Sequence, residues 1–404
     1  MLTGRVRRVA IYCLTMALWT PIASQAEQSI LNALIEGKPY AQLNLRWESV
    51  QQENALRDAD AVTLRSRLGY QSENFQGWRG ALEVEAVRTV LGVNDYSVPP
   101  SGFNAGQFSV IADPQTTELD QLWLQYQQQG LSLKLGRQVI TLDNHRFVGH
   151  VGWRQDRQTF DGLRLDYQFA DGLRMSAARL LQRNRIFATD QDVQSSDTLI
   201  RAEMATRAGK LSAYAYLLSV DDVADSGIDS IGVRLVGGKT LAGMPATYAA
   251  EFAAQDTDTG LNTDYFMLEG GLQFDGVRAR LGYEVLGSDA GRGAVATPLA
   301  TLHKFNGWAD QFLSTPDAGL RDVYLSLGGK VWRGRWQIIA HQFKADAAIA
   351  SKDDLGREWN LQFTRKFARY FNAGIKLASY SAGDARFGKV DTDKLWVWWS
   401  ADFS

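Results

Sequence analysis

The sequence predicts an all-β protein, a transmembrane antiparallel β-barrel of about 18 strands (16 to 18), on three observations. Apolar and polar residues alternate with period two along most of the chain, beginning with Ala41, Leu43, Leu45 and Trp47 against Gln42, Asn44, Arg46 and Glu48. Successive side chains of a strand point to opposite faces, so such a segment offers one face to lipid and the other to water. The connections alternate between tight turns and longer polar loops, as in a barrel with short periplasmic turns and long extracellular loops. After the N-terminus, no apolar run reaches the roughly 18 residues of a transmembrane helix, which leaves strands as the way across a membrane.

Residues 1–26 read as a cleaved secretory signal. Arg5, Arg7 and Arg8 precede an apolar run from Val9 to about Trp19, then Pro21 and a Ser24-x-Ala26 cleavage pattern. The expected mature chain, residues 27–404, is one barrel domain. Removing the signal lowers Lys+Arg from 43 to 40 while Asp+Glu stays at 45, a net charge of −5. That mild acidity excludes the basic stripe of a nucleic-acid binder. The only cysteine, Cys13, falls inside the signal, so the mature chain has neither disulfides nor thiolate metal sites. With 37 Gly, 12 Trp, 14 Tyr and 18 Phe against 8 Pro, the composition suits a membrane barrel.

The strand pattern recurs at Val62, Leu64, Leu68 and Tyr70 against Thr63, Arg65 and Arg67, and at Leu82, Val84 and Ala86 against Glu83 and Glu85. Followed to the end, it predicts strands at 40–49, 61–71, 78–89, 118–127, 131–139, 159–169, 172–182, 198–207, 211–220, 230–237, 246–255, 264–274, 277–287, 321–331, 335–345, 357–367, 371–381 and 393–403. Gln128-Gln129-Gly130, Ala170-Asp171-Gly172, Ala208-Gly209-Lys210, Asp275-Gly276 and Arg333-Gly334 mark tight turns. Long loops are expected at 91–117, 140–158, 184–197, 288–320 and 346–356. The last segment, with Leu395, Val397, Trp399, Ala401 and Phe403 on one face, reads as the closing strand. A β-sandwich or helical solenoid would bury its apolar faces in one core and predicts no such loop asymmetry.

The alternation directs Arg46, Arg65, Arg67, Arg164, Arg201, Arg234, Arg278 and Arg280 into the lumen, interleaved with Glu48, Glu83, Glu85, Asp166, Glu203, Glu251, Glu269 and Glu284. Guanidinium groups stay charged and take carboxylates two-pronged, so such a row suits passage of a polyanion, with the acids keeping any one site from holding too tightly. Taken singly, each of these residues reads first as part of a salt-bridge ladder stiffening the wall. The loop from Ile140 to Gln158 follows an odd strand and so leaves the outer rim. One reading folds it inward to narrow the pore, with Arg137, Arg146, Arg154 and Arg157 as cations and Asp143, Asp156 and Asp161 as anions; the other is a loop stabilised by its own ion pairs. Acidic loops at 184–197 and 221–229 offer a rival reading, a non-conducting barrel that binds Ca²⁺ or a partner at its surface.

Catalysis finds no support. His145, His150, His303 and His341 lack metal-ligand spacing, and the register leaves open whether His341 faces wall or lumen. No nucleophile–base pair, phosphate loop or dinucleotide fingerprint appears, so no enzyme, metal or cofactor is expected.

Three stretches resemble the alginate export family of outer-membrane proteins. They are Leu64-Arg65-Ser66-Arg67-Leu68-Gly69-Tyr70; Leu135-Gly136-Arg137-Gln138 through Leu142-Asp143-Asn144-His145-Arg146-Phe147 to Trp153-Arg154-Gln155 and Gln158-Thr159-Phe160-Asp161; and Thr297-Pro298-Leu299-Ala300-Thr301-Leu302-His303-Lys304-Phe305 with Gly307-Trp308-Ala309-Asp310 and Phe312-Leu313. The resemblance implies a monomeric barrel in a Gram-negative outer membrane whose arginine-rich lumen passes an anionic polysaccharide, with a periplasmic export partner a further implication. Arg65, Arg67, Arg137, Arg146 and Arg154 are the positions it carries over. The neighbouring expectation is an anion-preferring porin that takes up oligosaccharides or small solutes.

Overall fold

The computed structural model describes residues 30–403; the expected signal at 1–26, with Cys13, lies outside the described residues. After a short helix over 30–35 come β1 (Lys38–Gln52), β2 (Ala59–Gln71), β3 (Trp78–Asp95), β4 (Thr116–Gln128), β5 (Leu131–Gln138), β6 (Thr159–Gln168), β7 (Arg174–Asn184), β8 (Val193–Thr206) and β9 (Gly209–Leu218). The series continues with β10 (Ile228–Leu241), β11 (Met244–Thr257), β12 (Asn262–Phe274), β13 (Val277–Leu286), β14 (Leu320–Val331), β15 (Gly334–Ile349), β16 (Lys352–Phe367), β17 (Phe371–Ser381) and β18 (Thr392–Phe403). Each strand pairs antiparallel with its sequence neighbours, and β1 pairs with β18, from Ala41 opposite Phe403 to Gln52 opposite Thr392. The sheet is therefore closed, and its backbone groups are paired without an edge, which a hydrocarbon environment demands.

All eighteen expected strands are present. The wall follows the expected alternation: Trp47, Leu68, Leu82, Leu135, Leu163, Ile231, Leu281 and Trp359 face outward, while Arg46, Glu48, Arg67, Glu85, Glu251 and Glu284 are buried on the inner side. Exposed aromatics cluster beside the tight turns, at Trp78, Tyr167, Phe169, Phe274, Trp332, Phe367, Tyr370 and Phe403. They form the girdle of one membrane interface.

Two expected loops are corrected. The 184–197 loop shrinks to residues 185–192, because β8 starts at Val193. The 346–356 loop is mostly strand. β15 runs to Ile349 and β16 starts at Lys352, joined through Ala350 and Ser351 with positive φ of 47° and 63°, and the register slips near Lys344. Positive φ at both central residues matches the twist of a two-residue hairpin, so the polar residues there continue a ladder.

Inside the wall, some glycines are sockets for bulky neighbours. Gly374 lies opposite Trp398, and a β-carbon there would fall 2.1 Å from the indole ring. Gly374→Val is expected to cost about 1–3 kcal/mol through overpacking. Heat-modifiable gel mobility should show a smaller folded fraction, restored when Trp398→Leu is added; an unchanged fraction would show that the ring moves aside freely.

Candidate pore constriction and turn-side vestibule

Three outer-rim loops enter the barrel: 96–115 between β3 and β4, 139–158 between β5 and β6, and 287–319 between β13 and β14. Their side chains meet inward-facing wall residues. Phe147 packs against Tyr214 and Tyr265 with ring centroids 5.3 Å apart in each case, Trp153 meets Trp396 at 5.8 Å, and Phe312 meets Phe343 at 4.6 Å. Two of the three invading segments, 139–158 and 287–319, also pair with each other. Val148 bridges Leu299, Gly149 N–H donates to Leu299 O at 2.8 Å, and Thr301 N–H donates to His145 O at 3.0 Å. Gln158 Nε2 donates to the carbonyls of Gly149 and Leu299 at 2.8 and 3.2 Å. Apolar burial and satisfied backbone groups together hold a compact plug across part of the lumen.

A chain of buried charges locks this plug to the wall. Arg154 donates from Nη1 to both carboxylate oxygens of Glu48 at 3.1 and 3.0 Å, and from Nη2 to Asp310 at 3.0 Å. Arg46 bonds Asp113 and the Trp153 carbonyl. Lys394 Nζ donates to Asp310 at 2.8 Å, and His303 Nδ1 lies 2.6 Å from Asp310 Oδ1. On the other side of His303, Nε2 lies 2.7 Å from Lys376 Nζ. Asp310 needs a donor and the Lys376 ammonium needs an acceptor, which assigns the proton to Nδ1 of a neutral ring. That Lys376 ammonium lies over the Trp153 and Trp308 rings at 4.0 and 3.9 Å, and His303 stacks on Trp153 at 5.0 Å.

The loop groups titrate accordingly. Burial opposes the charge of Asp310, but His303, Lys394 and Arg154 hold its carboxyl well below the usual carboxylate range. Burial resists ionisation of Asp113 as well, and Arg46 and Arg154 outweigh it. Asp156 goes the other way: burial, with Glu118 and Glu85 nearby, pushes it well up. Burial lowers His303 to about 3, against the pull of Asp310 and with the repulsion of Lys376. A released loop takes up a proton at this ring near its ordinary 6.5, and the packed loop only near 3. The contribution of His303 to plug stability is therefore full above about pH 6.5 and is lost as pH falls toward 3, whereas Asp156, raised in the plug, contributes in the opposite sense. Single-channel recordings from pH 7 to 4 are expected to show rising current noise, flattened in His303→Gln; identical profiles would remove His303 from this role.

The expected site residues fall into four sets. Arg46 and Arg154 are in the lock just described, and Arg146 is held by Glu284 at 3.2 Å and Asn306 at 3.2 Å. Arg157 is bound to Glu83 and Asp120, Arg67 to Glu85, and Asp143 takes Arg201 two-pronged at 2.9 and 2.7 Å. These contacts make the constriction a neutralised ladder of the wall-stiffening kind. Arg65 forms the second set: it is 8 % exposed between paired neighbours, its Nε has no partner, and no ion pair reaches it among the described residues. Arg137 and Asp161 form the third, pairing across β5 and β6 at 2.7 Å on the outward parity of Leu135 and Leu163. They brace the outer end of the wall and leave the lumen-lining set, because parity carries their side chains away from the pore.

Arg278 and Arg280 are the fourth set. They line a cavity of about 770 Å³ on the turn side of the plug, with Lys330 and Arg335 beside them and Asp275 as its only carboxylate. It adjoins a second cavity of about 670 Å³ directly beneath the plug, sharing Arg280, Ser326, Gln337 and Gln362 and reaching Lys304, Trp153 and Lys376. Arg280 sits 3.6 Å from Glu269, a loose contact on a half-exposed chain. His341 resolves inward, 3.0 Å from Asp322.

Sequence reasoning missed Asp113, Asp310, Lys376 and Lys394 as partners of the lock. Asp310 lies in the Gly307–Asp310 stretch that carries the family resemblance, and Lys394 and Lys376 share the inward parity of their strands. Nothing local says which loop each one meets.

Comparison with known proteins agrees with this architecture. The sequence profile described as alginate export matches residues 42–291, more than half of the 404-residue chain. Among solved structures, OccK9 (OpdG) of Pseudomonas aeruginosa superposes with a TM-score of 0.71 at 13% identity, covering 92% of this chain and all of that one. OccAB4 of Acinetobacter baumannii gives 0.70 at 14%, covering 92% and 100%, and the outer membrane protein opdK of P. aeruginosa gives 0.68 at 12%, covering 91% and 98%. These identities speak to the fold alone. A search of curated proteins by sequence finds no match. A closed barrel with a lipid-facing apolar wall, a polar lumen and that profile match have one consistent assignment: the chain belongs to the alginate export family and is an outer-membrane channel protein of a Gram-negative bacterium.

Proposed function

We propose that the barrel is a passive, anion-preferring channel for acidic sugars, drawing an anionic oligosaccharide or polysaccharide through the turn-side vestibule toward the constriction. The observation that carries this reading is the contrast between the two regions. Guanidinium groups in the plug are mostly neutralised by carboxylates, whereas Arg278, Arg280, Lys330 and Arg335 surround open space whose lining holds one carboxylate, Asp275, with Glu269 in loose contact with Arg280 from outside it. A confined cavity of one sign concentrates counter-ions, and unpaired guanidinium groups take carboxylates two-pronged. Arg65 is a further cation for the same task. Membership of the alginate export family supports an acidic polysaccharide as cargo. The reading includes export through a signal cleaved after Ala26 and function as a monomer without cofactor or catalysis.

A second reading, uptake of small anionic solutes, is favoured by the apolar packing of the invading loops 139–158 and 287–319, which leaves less room than a polymer in free passage would take. One recording separates the two. The purified protein in a planar bilayer under a salt gradient is expected to show an anion-selective reversal potential and transient blocks on adding an oligouronate. Anion selectivity without block favours small solutes, and cation selectivity overturns both readings.

A further inference from the structure

We propose that the short helix over residues 30–35 is an interfacial anchor, inserted into the periplasmic leaflet of the membrane beside the barrel. Its apolar residues are Ile30, Leu31, Leu34 and Ile35, exposed at 45, 55, 52 and 71%. At about 100° per residue they form one stripe roughly 140° wide, with Asn32 and Glu36 on the far side. Ala33, 9 % exposed, is the residue turned toward the barrel, so the contact that seats the helix does not use its apolar stripe.

The seat is on the lipid side of the rim. Tyr70 donates to the Leu34 carbonyl, and Glu73 N–H donates to Ala33 O at 2.9 Å. Tyr70 lies opposite Leu82 and shares the parity of Leu68, both of which are exposed on the outward wall, whereas the neighbouring Gly69 faces the lumen beneath the Tyr40 ring. Gly37 lets the chain pass this tyrosine: a β-carbon there would sit 1.9 Å from its hydroxyl. Trp78, an exposed girdle aromatic, follows directly on the β2–β3 turn that holds the helix. The stripe is thus continuous with the lipid-facing band at headgroup level, where an amphipathic helix buries its apolar face in the acyl boundary. The segment carries little charge, with Glu36 followed by Lys38, which is itself paired with Glu73 at 3.0 Å, so lipid contact is apolar and does not demand anionic headgroups.

The test uses the protein purified from outer membranes after export, encoded with Cys13→Ser so that no other thiol is present, with Leu31→Cys, Leu34→Cys, Ile35→Cys or Asn32→Cys added singly, labelled with a small fluorophore and reconstituted in phosphatidylcholine vesicles. Lipid nitroxides near the headgroup end of the acyl chain are expected to quench labels at 31, 34 and 35 about threefold more than the label at 32, and aqueous iodide to show the reverse order. Heat-modifiable mobility confirms that each variant is folded before it is scored. Equal quenching at all four sites overturns the anchor. So does shielding of the stripe that appears only on adding a periplasmic extract, which would assign the surface to a protein.

Discussion

Replacing Arg278, Arg280, Lys330 and Arg335 together with glutamine is expected to lower the anion-to-cation permeability ratio roughly tenfold at low salt. Each charge acts on an ion about 6 Å away through water with roughly 0.7 kcal/mol, a factor of about three, and screening keeps four such factors from multiplying in full. The four residues surround one cavity and have no carboxylate among its lining except Asp275, so their removal leaves no compensating positive set there. Salt supplies the internal control. At about 1 M the Debye length falls to roughly 3 Å and wild type and variant should converge. The measurement is the reversal potential at two ionic strengths. An unchanged ratio at low salt would move selectivity out of the vestibule and back to Arg65 in the constriction.

Arg154→Ala is expected to have the largest effect on conductance, raising it several-fold by releasing the plug. The guanidinium holds Glu48 on β1 and Asp310 in the β13–β14 loop at once, and all three groups are buried. Removing the cation leaves Glu48 with only the longer contact to Arg46 at 3.5 Å, while Asp310 keeps Lys394 and His303, so the cost is about 3 kcal/mol, the low end for a broken buried pair, and falls mainly on Glu48. Adding Glu48→Gln should recover part of the loss, because the penalty lies in the unpaired charge more than in the missing bond. Single-channel conductance and its open-state noise measure both variants. Wild-type conductance in Arg154→Ala would mean that the apolar contacts of Phe147, Trp153 and Phe312 hold the plug unaided.

Much of the fold is legible in the sequence, for a reason particular to membrane barrels. A strand between lipid and water has to alternate, so Leu43–Trp47 against Asn44–Glu48 already states which side is which. Every strand could be placed within a few residues in this way, and Arg46, Arg65 and Arg67 could be directed inward. Where this reasoning slipped, hydrogen bonding replaced composition as the deciding factor. Residues 346–356 are polar and rich in small side chains, yet they continue the β15–β16 ladder because a strand standing above the membrane is free of the lipid constraint that writes alternation.

The candidate site was less legible. The guess that the 140–158 loop turns inward follows from its density of aromatics and charges, which have nothing to pack against outside the barrel. Its role as half of a two-loop plug does not follow, because Val148 meets Leu299, and Arg154 meets Asp310, only after the sheet closes. Arg137 belongs with the pore-lining loop by sequence position alone, whereas Leu133 and Leu135 on the same parity turn it toward the outside.

The sequence by itself determined the barrel, its strand number to within two, the side most wall residues face and the rim each loop leaves from, since these depend on local period and turn chemistry; Arg137, Asp161 and His341 were placed only by the sheet register. Only the tertiary structure decided which charges are spent on one another and which remain free to meet an ion. Arg67 and Arg154 look the same as Arg278 in a one-dimensional pattern. Arg67 is neutralised by Glu85, directly opposite it on β3, and Arg154 by Glu48 and Asp310, which folding brings from a distant strand and loop, while Arg278 is left facing open space. Electrostatic pairing falls off over a few ångströms, and that distance has no expression in the chain until it folds.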